Sequence, residues 1–254
     1  MNIKPSLKGK WIVITRPTHQ TANLSNRLEA EGAFVLSFPL LEINPPKNLQ
    51  QVQQQLQKLA DFDLAIFVST NAVEHALKYV NAGVFNSIKV ATTGKKTASL
   101  LESHGIKVDY CPEKIFNSEA LLAISGMKEF CIGKKVAIIR GENGRDYLRD
   151  SLLRAGSDTD YFDVYQRNCP QYNLDTIKQH WLDQKLDIIL LSSGTSVNNF
   201  FRLANNEKWI DELTLLLGSE RIRNKIPKGF QGKILVAEDP NDETIYQKLA
   251  TIYG

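Results

Sequence analysis

The chain of 254 residues repeats itself once. Slid along itself by 124 positions, Gly9 falls on Gly133, Lys10 on Lys134, Arg16 on Arg140, Leu24 on Leu148, Leu28 on Leu152 and Gly32 on Gly156. The same offset joins Asp63 to Asp187, Ser69 to Ser193, Val73 to Val197, Gly94 to Gly218 and Gly105 to Gly229. The register slips by one residue near Leu49 and Leu174, then recovers. A period this long is not that of a solenoid, whose units run to about 20–50 residues. Glycines and strand-end residues dominate the matches, so backbone geometry is what recurs. The chain holds two copies of one fold.

Each copy alternates strand and helix. Residues 11–15 and 136–139 are short apolar, β-rich runs, each followed by a polar loop and a helical stretch. In the first of these helices Leu24 and Leu28 sit four apart on one face, and Gly32 or Gly156 ends the helix. Residues 34–43 and 160–167 supply the next extended segments. Helices with Leu49, Val52, Leu56 and Leu59, or Leu174, Ile177 and Trp181, on one face come next. Strands at 64–68 and 188–191 precede the clearest helical stripes: Ala72, Val73, Ala76, Leu77 and Val80, and their counterparts Ser196, Val197, Phe200, Phe201 and Ala204. Strands at 89–93 or 214–217 end at Gly94 or Gly218, and a fifth strand at 107–110 or 233–237 leads into a last helix, N-capped by Ser118 or Asp242. Continuous apolar strands between helices call for a parallel sheet covered on both faces. The expected fold is therefore α/β: two similar doubly wound, flavodoxin-like parallel-sheet lobes with a cleft between them.

Ligands of open α/β sheets bind at the carboxyl ends of the strands. This chain places Thr15-Arg16-Pro17 after strand one, and Arg140 to Arg145 at the matching point. Ser69-Thr70-Asn71 and Ser193-Gly194-Thr195 follow strand three. Gly94-Lys95-Lys96-Thr97 and Gly218-Ser219-Glu220-Arg221 follow strand four. These groups are small, hydroxylic or cationic, and stand before helices whose free N–H groups favour carboxylate or phosphate. They suit a polyanionic small molecule, although Ser69 and Ser193 also read as simple N-caps, and Arg16 and Arg140 as ion-pair partners.

Other chemistries find little support. The net charge is +3, too small for a duplex-DNA binder. Cys111, Cys131 and Cys169 form no zinc or CxxC pattern and read as reduced thiols. His19, His75, His104 and His180 lack metal-ligand spacing and read as helix-surface residues, while Trp11, Trp181 and Trp209 read as packing residues. No GxxxxGK[ST] loop or GxSxG elbow is present. The longest apolar runs are strand-length, far below the roughly 20 residues of a membrane span. Residues 1–10 lack the apolar core of a signal peptide, so a cytoplasmic location is expected.

These motifs, in this order, resemble the uroporphyrinogen-III synthase family over nearly the whole chain. The resemblance rests on Thr15-Arg16-Pro17, Phe38-Pro39-Leu40, Phe67 to Val73, Gly94 to Ala98, Arg140 to Arg145 and Asp163-Val164-Tyr165-Gln166-Arg167. It implies a cyclising hydro-lyase of tetrapyrrole and haem biosynthesis, acting as a monomer without metal or cofactor. Its substrate, linear hydroxymethylbilane, loses its terminal hydroxyl as water to give an azafulvene. The two ends then join at the substituted position of the last pyrrole, and a spiro intermediate reopens and recloses with that ring inverted. By the same resemblance Tyr165 assists departure of the hydroxyl, as a phenol can. Ser69, Thr97 and Ser193 bind substrate by the resemblance, Asn71 and Thr195 are added from their strand-end position, and Arg16, Arg140 and Arg145 meet its carboxylates. The enzyme that makes hydroxymethylbilane is the implied transient partner; neither nucleic acid nor membrane is. The resemblance also implies lobes made of residues 1–40 with 169–254, and of 41–168, joined by a two-segment extended hinge at 40–46 and 163–170. This chain departs from the family pattern at Arg221, where Thr is usual, at Ser193 to Ser196, and at Pro227, which interrupts the following helix. Those departures leave a rival class: a non-catalytic two-lobed module binding a tetrapyrrole or another polyanion.

Overall fold

The repeat is a repeat of turns. In the computed structural model, which describes residues 7–254, Gly9, Gly32, Gly133 and Gly156 have φ of +77°, +86°, +68° and +89°. An L side chain is strained in that region, which is why glycine recurs there. The Gly9 N–H donates to the Gly32 carbonyl and the Gly133 N–H to the Gly156 carbonyl, both at 2.9 Å. Residues 1–6, part of the stretch expected not to be a signal peptide, lie outside the described residues.

Ten strands are present among the described residues: β1 (Trp11–Ile14), β2 (Phe34–Ser37), β3 (Glu42–Asn44), β4 (Leu64–Phe67), β5 (Lys89–Thr92), β6 (Lys135–Gly141), β7 (Asp158–Asn168), β8 (Ile188–Leu191), β9 (Thr214–Leu217) and β10 (Lys233–Val236). They form two five-stranded sheets, ordered β10-β9-β8-β1-β2 and β3-β7-β6-β4-β5. The chain divides into two compact units accordingly: the segment through Glu42 with Asn168–Gly254, and Ile43–Arg167.

The repeat halves are exchanged between the sheets. β1 pairs with β8 in parallel, Ile12 opposite Ile188, while β6 pairs with β4, Val136 opposite Leu64. Each register is the other shifted by the repeat offset. The matched charged residues serve this exchange. Lys10 Nζ lies 3.0 Å from Asp187, whose second oxygen accepts the Trp11 N–H at 2.8 Å. Lys134 Nζ lies 3.0 Å from Asp63, whose second oxygen accepts the Lys135 N–H at 2.9 Å. The Lys135 N–H and then Lys134 hold the Asp63 carboxyl below the usual carboxylate range. As half-exposed ion pairs these contribute at most about 1 kcal/mol each; their specific effect is on strand register.

Each sheet is buried on both faces. In Ile43–Arg167, Ala65, Phe67, Val90, Ala137, Ile139 and Phe162 face the helices Leu49–Gln57 and Thr70–Ala76. Leu64, Ile66, Ala91, Val136 and Ile138 face Ser118–Leu122, Met127–Cys131 and Tyr147–Arg154. The other sheet is covered likewise, with Val13, Ile189, Leu215 and Phe200 on one side and Ile12, Ile188, Leu216 and Leu249 on the other.

Several local expectations are corrected. The extended segment 34–43 holds two strands: β2 and β3 lie in different sheets, separated around Pro39, where Phe38 and Leu40 donate to the carbonyls of Ile14 and Thr15. Residues 163–168 are likewise strand, the end of β7, with β3 as its neighbour. Residues 107–110 form only a bridge, Ala91 to Tyr110, because the Asp109 side chain takes the Val90 N–H. The N-caps of the last helices are Asn117 and Asn241, one residue before Ser118 and Asp242. After Gly218 the chain forms a 3-10 helix, Glu220–Lys225, where its counterpart Lys95–Ser103 is α-helical.

Candidate functional site

The residue singled out as catalytic sits at a break in the strand pattern. β6 and β7 pair regularly to Arg140 opposite Asp163, then the register shifts so that Gly141 lies opposite Tyr165. Val164 is the extra residue of a bulge, a feature that re-aims side chains. Strict alternation would put Tyr161 and Tyr165 on the same face. The bulge separates them: Tyr161 packs on the side of Val136 and Ile138, whereas Tyr165 joins Phe162 and Val164 on the side of Ala137 and Ile139.

Tyr165 is fully buried, yet its hydroxyl has two polar neighbours. Arg167 Nη2 donates to Tyr165 Oη at 2.6 Å, and Ser69 Oγ lies 3.2 Å away. The ring lies so close over Gly141 that a Cβ there would come within 2.5 Å of it. His75 completes the surround, its ring 5.6 Å from that of Tyr165. This histidine is buried, which corrects its expected place on a helix surface; it follows Asn71 by one turn on the inner face of Thr70–Ala76.

Ser69 is also the N-cap of that helix, accepting the Ala72 N–H at 3.2 Å. The two readings of Ser69 thus coexist in one side chain. Asn71 is buried in the first turn, and Thr97 is buried in the first turn of Lys95–Ser103 at the next strand end. Ser69, Asn71, Thr97, Arg140, Arg145 and Tyr165 all belong to the unit Ile43–Arg167. Arg16, Ser193 and Thr195 belong to the other. There Ser193 caps Gly194–Ala204 in a reciprocal box with Ser196, and Thr195 is exposed.

The arginines meet carboxylates of the protein itself. Arg16 pairs with Asp242 and donates to Ser192 Oγ at 3.0 Å and the Pro240 carbonyl at 2.6 Å. Arg140 donates to Asp163 at 2.9 Å, lies 3.4 Å from Asp146 and stacks 3.2 Å from the Tyr161 ring centroid. Both side chains are only 9% exposed. Expected to receive a ligand's carboxylates, both guanidinium groups here engage nearby aspartates. Arg145 is 70% exposed and pairs with Glu119, whose carboxyl it holds below the usual range.

The two tyrosines of β7 differ in chemistry as well as in place. Tyr161 donates to Asp146 at 2.8 Å. Burial, and then that bond, push the Tyr161 hydroxyl up to about 12, so it keeps its proton. The Tyr165 oxygen accepts from a guanidinium, and its own O–H is within reach of Ser69 Oγ, a group that a leaving oxygen can replace as acceptor. Arg167 was not among the residues expected at the site. Its signal was its place two residues after Tyr165, hence on the same strand face. Among the described residues there is no helix long and apolar enough to cross a membrane.

Comparison with known proteins identifies the family and the fold. The family model described as Uroporphyrinogen-III synthase HemD matches residues 22–247. The uroporphyrinogen-III synthase of Escherichia coli K12 is 26% identical over 245 residues, covering 94% of this chain and 99% of that one. The uroporphyrinogen-III synthase of Synechococcus elongatus is 30% identical over 210 residues, covering 81% and 78%. Among solved structures, a mutant uroporphyrinogen III synthase of Thermus thermophilus superposes with a TM-score of 0.62 at 13% identity, covering 95% and 99%. The Helicobacter pylori uroporphyrinogen-III synthetase gives 0.61 at 18% identity, covering 96% and 99%. Those structures share the fold; the family match, which spans most of the chain and both sheets, shows that the chain belongs to the uroporphyrinogen-III synthase family.

Proposed function

We propose that this chain cyclises linear hydroxymethylbilane to uroporphyrinogen III, with loss of water and inversion of the last pyrrole ring, as a step of haem and other tetrapyrrole biosynthesis. The observation that carries the assignment of roles is the Tyr165 hydroxyl, set between Arg167 and Ser69 at the end of β7. In the first step the C–O bond of the terminal hydroxymethyl breaks. The departing oxygen takes the phenol proton and leaves as water, while the pyrrole nitrogen supplies electrons to the methylene carbon. The pyrrole N–H proton then returns to the phenolate, giving a neutral azafulvene. The Arg167 N–H donor stabilises negative charge on the phenol oxygen while the proton is away.

The remaining steps form and break carbon–carbon bonds within the substrate. For these the protein supplies placement, which alone can provide a large part of a rate enhancement. Ser69, Asn71, Thr97, Ser193 and Thr195 stand at strand ends before helices, where hydroxyls, amides and N–H groups suit the substrate's carboxylates. Arg145 is the most exposed arginine of the set and is assigned to a carboxylate. Arg16 and Arg140 are assigned to holding the strand-end loops, in keeping with their aspartate partners. The enzyme is proposed to work as a monomer in the cytoplasm, taking its unstable substrate from the enzyme that makes it, and to use no cofactor.

Tyr165→Phe tests the assignment. Turnover is expected to fall on the order of 10²-fold, the range of a general acid. Unchanged turnover in a folded variant would remove Tyr165 from the chemistry.

A further inference from the structure

We propose that Arg167 is the positioning residue of the catalytic phenol: it fixes the direction in which Tyr165 presents its proton. This rests on the role assigned to Tyr165 above. The bulge at Val164 resets the alternation of β7, after which Tyr165 and Arg167 share a face and Gln166 takes the other, donating to the Pro45 carbonyl at 2.8 Å. The ring of Tyr165 is immobilised by its burial and by Gly141 beneath it. What stays free is rotation of the O–H about the C–O bond. A phenol oxygen has one proton to give and lone pairs to receive. Arg167 can only donate, so its bond at 2.6 Å occupies the acceptor side of the oxygen and turns the O–H away from it.

Ser69 alone does not set this direction, because its hydroxyl is able to give or receive at 3.2 Å. Arg167 is exposed whereas Tyr165 is buried. Its centre lies 5.2 Å from the ring centroid, close enough to be held by the ring it serves. Lysine could supply one donor here but not the planar fork that fits both ring and oxygen. Arg167 thus acts through Tyr165 and makes no claim on the substrate.

The test is a double-mutant cycle on the full chain with hydroxymethylbilane as substrate. Arg167→Gln is expected to lower kcat about tenfold or more, the loss typical of a hydrogen bond to a charged group, with KM within about twofold of its original value. Arg167→Lys should recover part of the loss. In the Tyr165→Phe background, Arg167→Gln should cost nothing further, since there is no hydroxyl left to direct. Melting temperatures of all four proteins report whether each variant is folded. If Tyr165→Phe lowers kcat but the two losses multiply, or if Arg167→Gln raises KM and leaves kcat alone, Arg167 acts on substrate and the proposal is overturned. If Tyr165→Phe leaves kcat unchanged, the role of Tyr165 fails first and that of Arg167 falls with it.

Discussion

Tyr165 and Tyr161 show how little residue type alone decides. They stand four apart on β7, and each carries a phenol, but one donates a hydrogen bond to Asp146 and the other accepts one from Arg167. Removal of the Tyr165 hydroxyl should therefore cost turnover far more than stability. A lost hydrogen bond costs about 1 kcal/mol, or a few degrees in Tm for a chain of this size. Thermal melts of Tyr165→Phe beside steady-state assays check that separation, and a Tm loss of tens of degrees would assign the hydroxyl to the fold instead. The motif Asp163 to Arg167 was legible in the sequence as a resemblance, and the role proposed for Tyr165 comes from it. The place of Arg167 on the same strand face was legible too, but its bond to the hydroxyl was not, because that depends on the turn of the ring after the bulge. The opposite happened with Arg16 and Arg140. Their recurrence at one strand end suggested a ligand, yet each is met by an aspartate of its own unit, Asp242 or Asp163.

At the scale of elements, the alternation of strand and helix was readable because both faces of each sheet are apolar, leaving unbroken runs such as Ile188–Leu191. What escaped was where the backbone departs from regularity. The single bridge at Tyr110 and the bulge at Val164 each depend on which neighbour takes a backbone N–H. The bulge has the clearest functional consequence. Gly141 is opposite Tyr165 across the bulge, and only the absence of a Cβ lets the ring lie there. Gly141→Ala should push the ring off its seat. The expected result is a stability loss of about 1–3 kcal/mol, typical of overpacking, with a fall in kcat larger than the loss of folded protein explains. Denaturant unfolding together with kcat per folded molecule measures both. An alanine variant with normal stability and turnover would show that the close approach does not matter.

On the scale of the whole molecule, the repeat predicts the fold of each half but not which pieces fold together. Pairing of β1 with β8 and of β4 with β6 puts the matching parts of the two halves in opposite sheets. The ion pairs Lys10–Asp187 and Lys134–Asp63 mark the exchange, and their spacing in the sequence gave no sign of it before the resemblance was considered. A fragment of residues 43–167 contains both faces of its own core and should unfold cooperatively by circular dichroism. A fragment of residues 1–124, one full repeat, should not, because β1 is cut from β8 and β4 from β6; a cooperative transition there would contradict the exchange. The central claim concerns chemistry, and one measurement bears on it most directly. The purified chain is given hydroxymethylbilane, and the products are oxidised and resolved by isomer. The account predicts the III isomer in clear excess over the I isomer that forms by spontaneous closure; the I isomer alone, at the spontaneous rate, would contradict it and leave the chain a binding module.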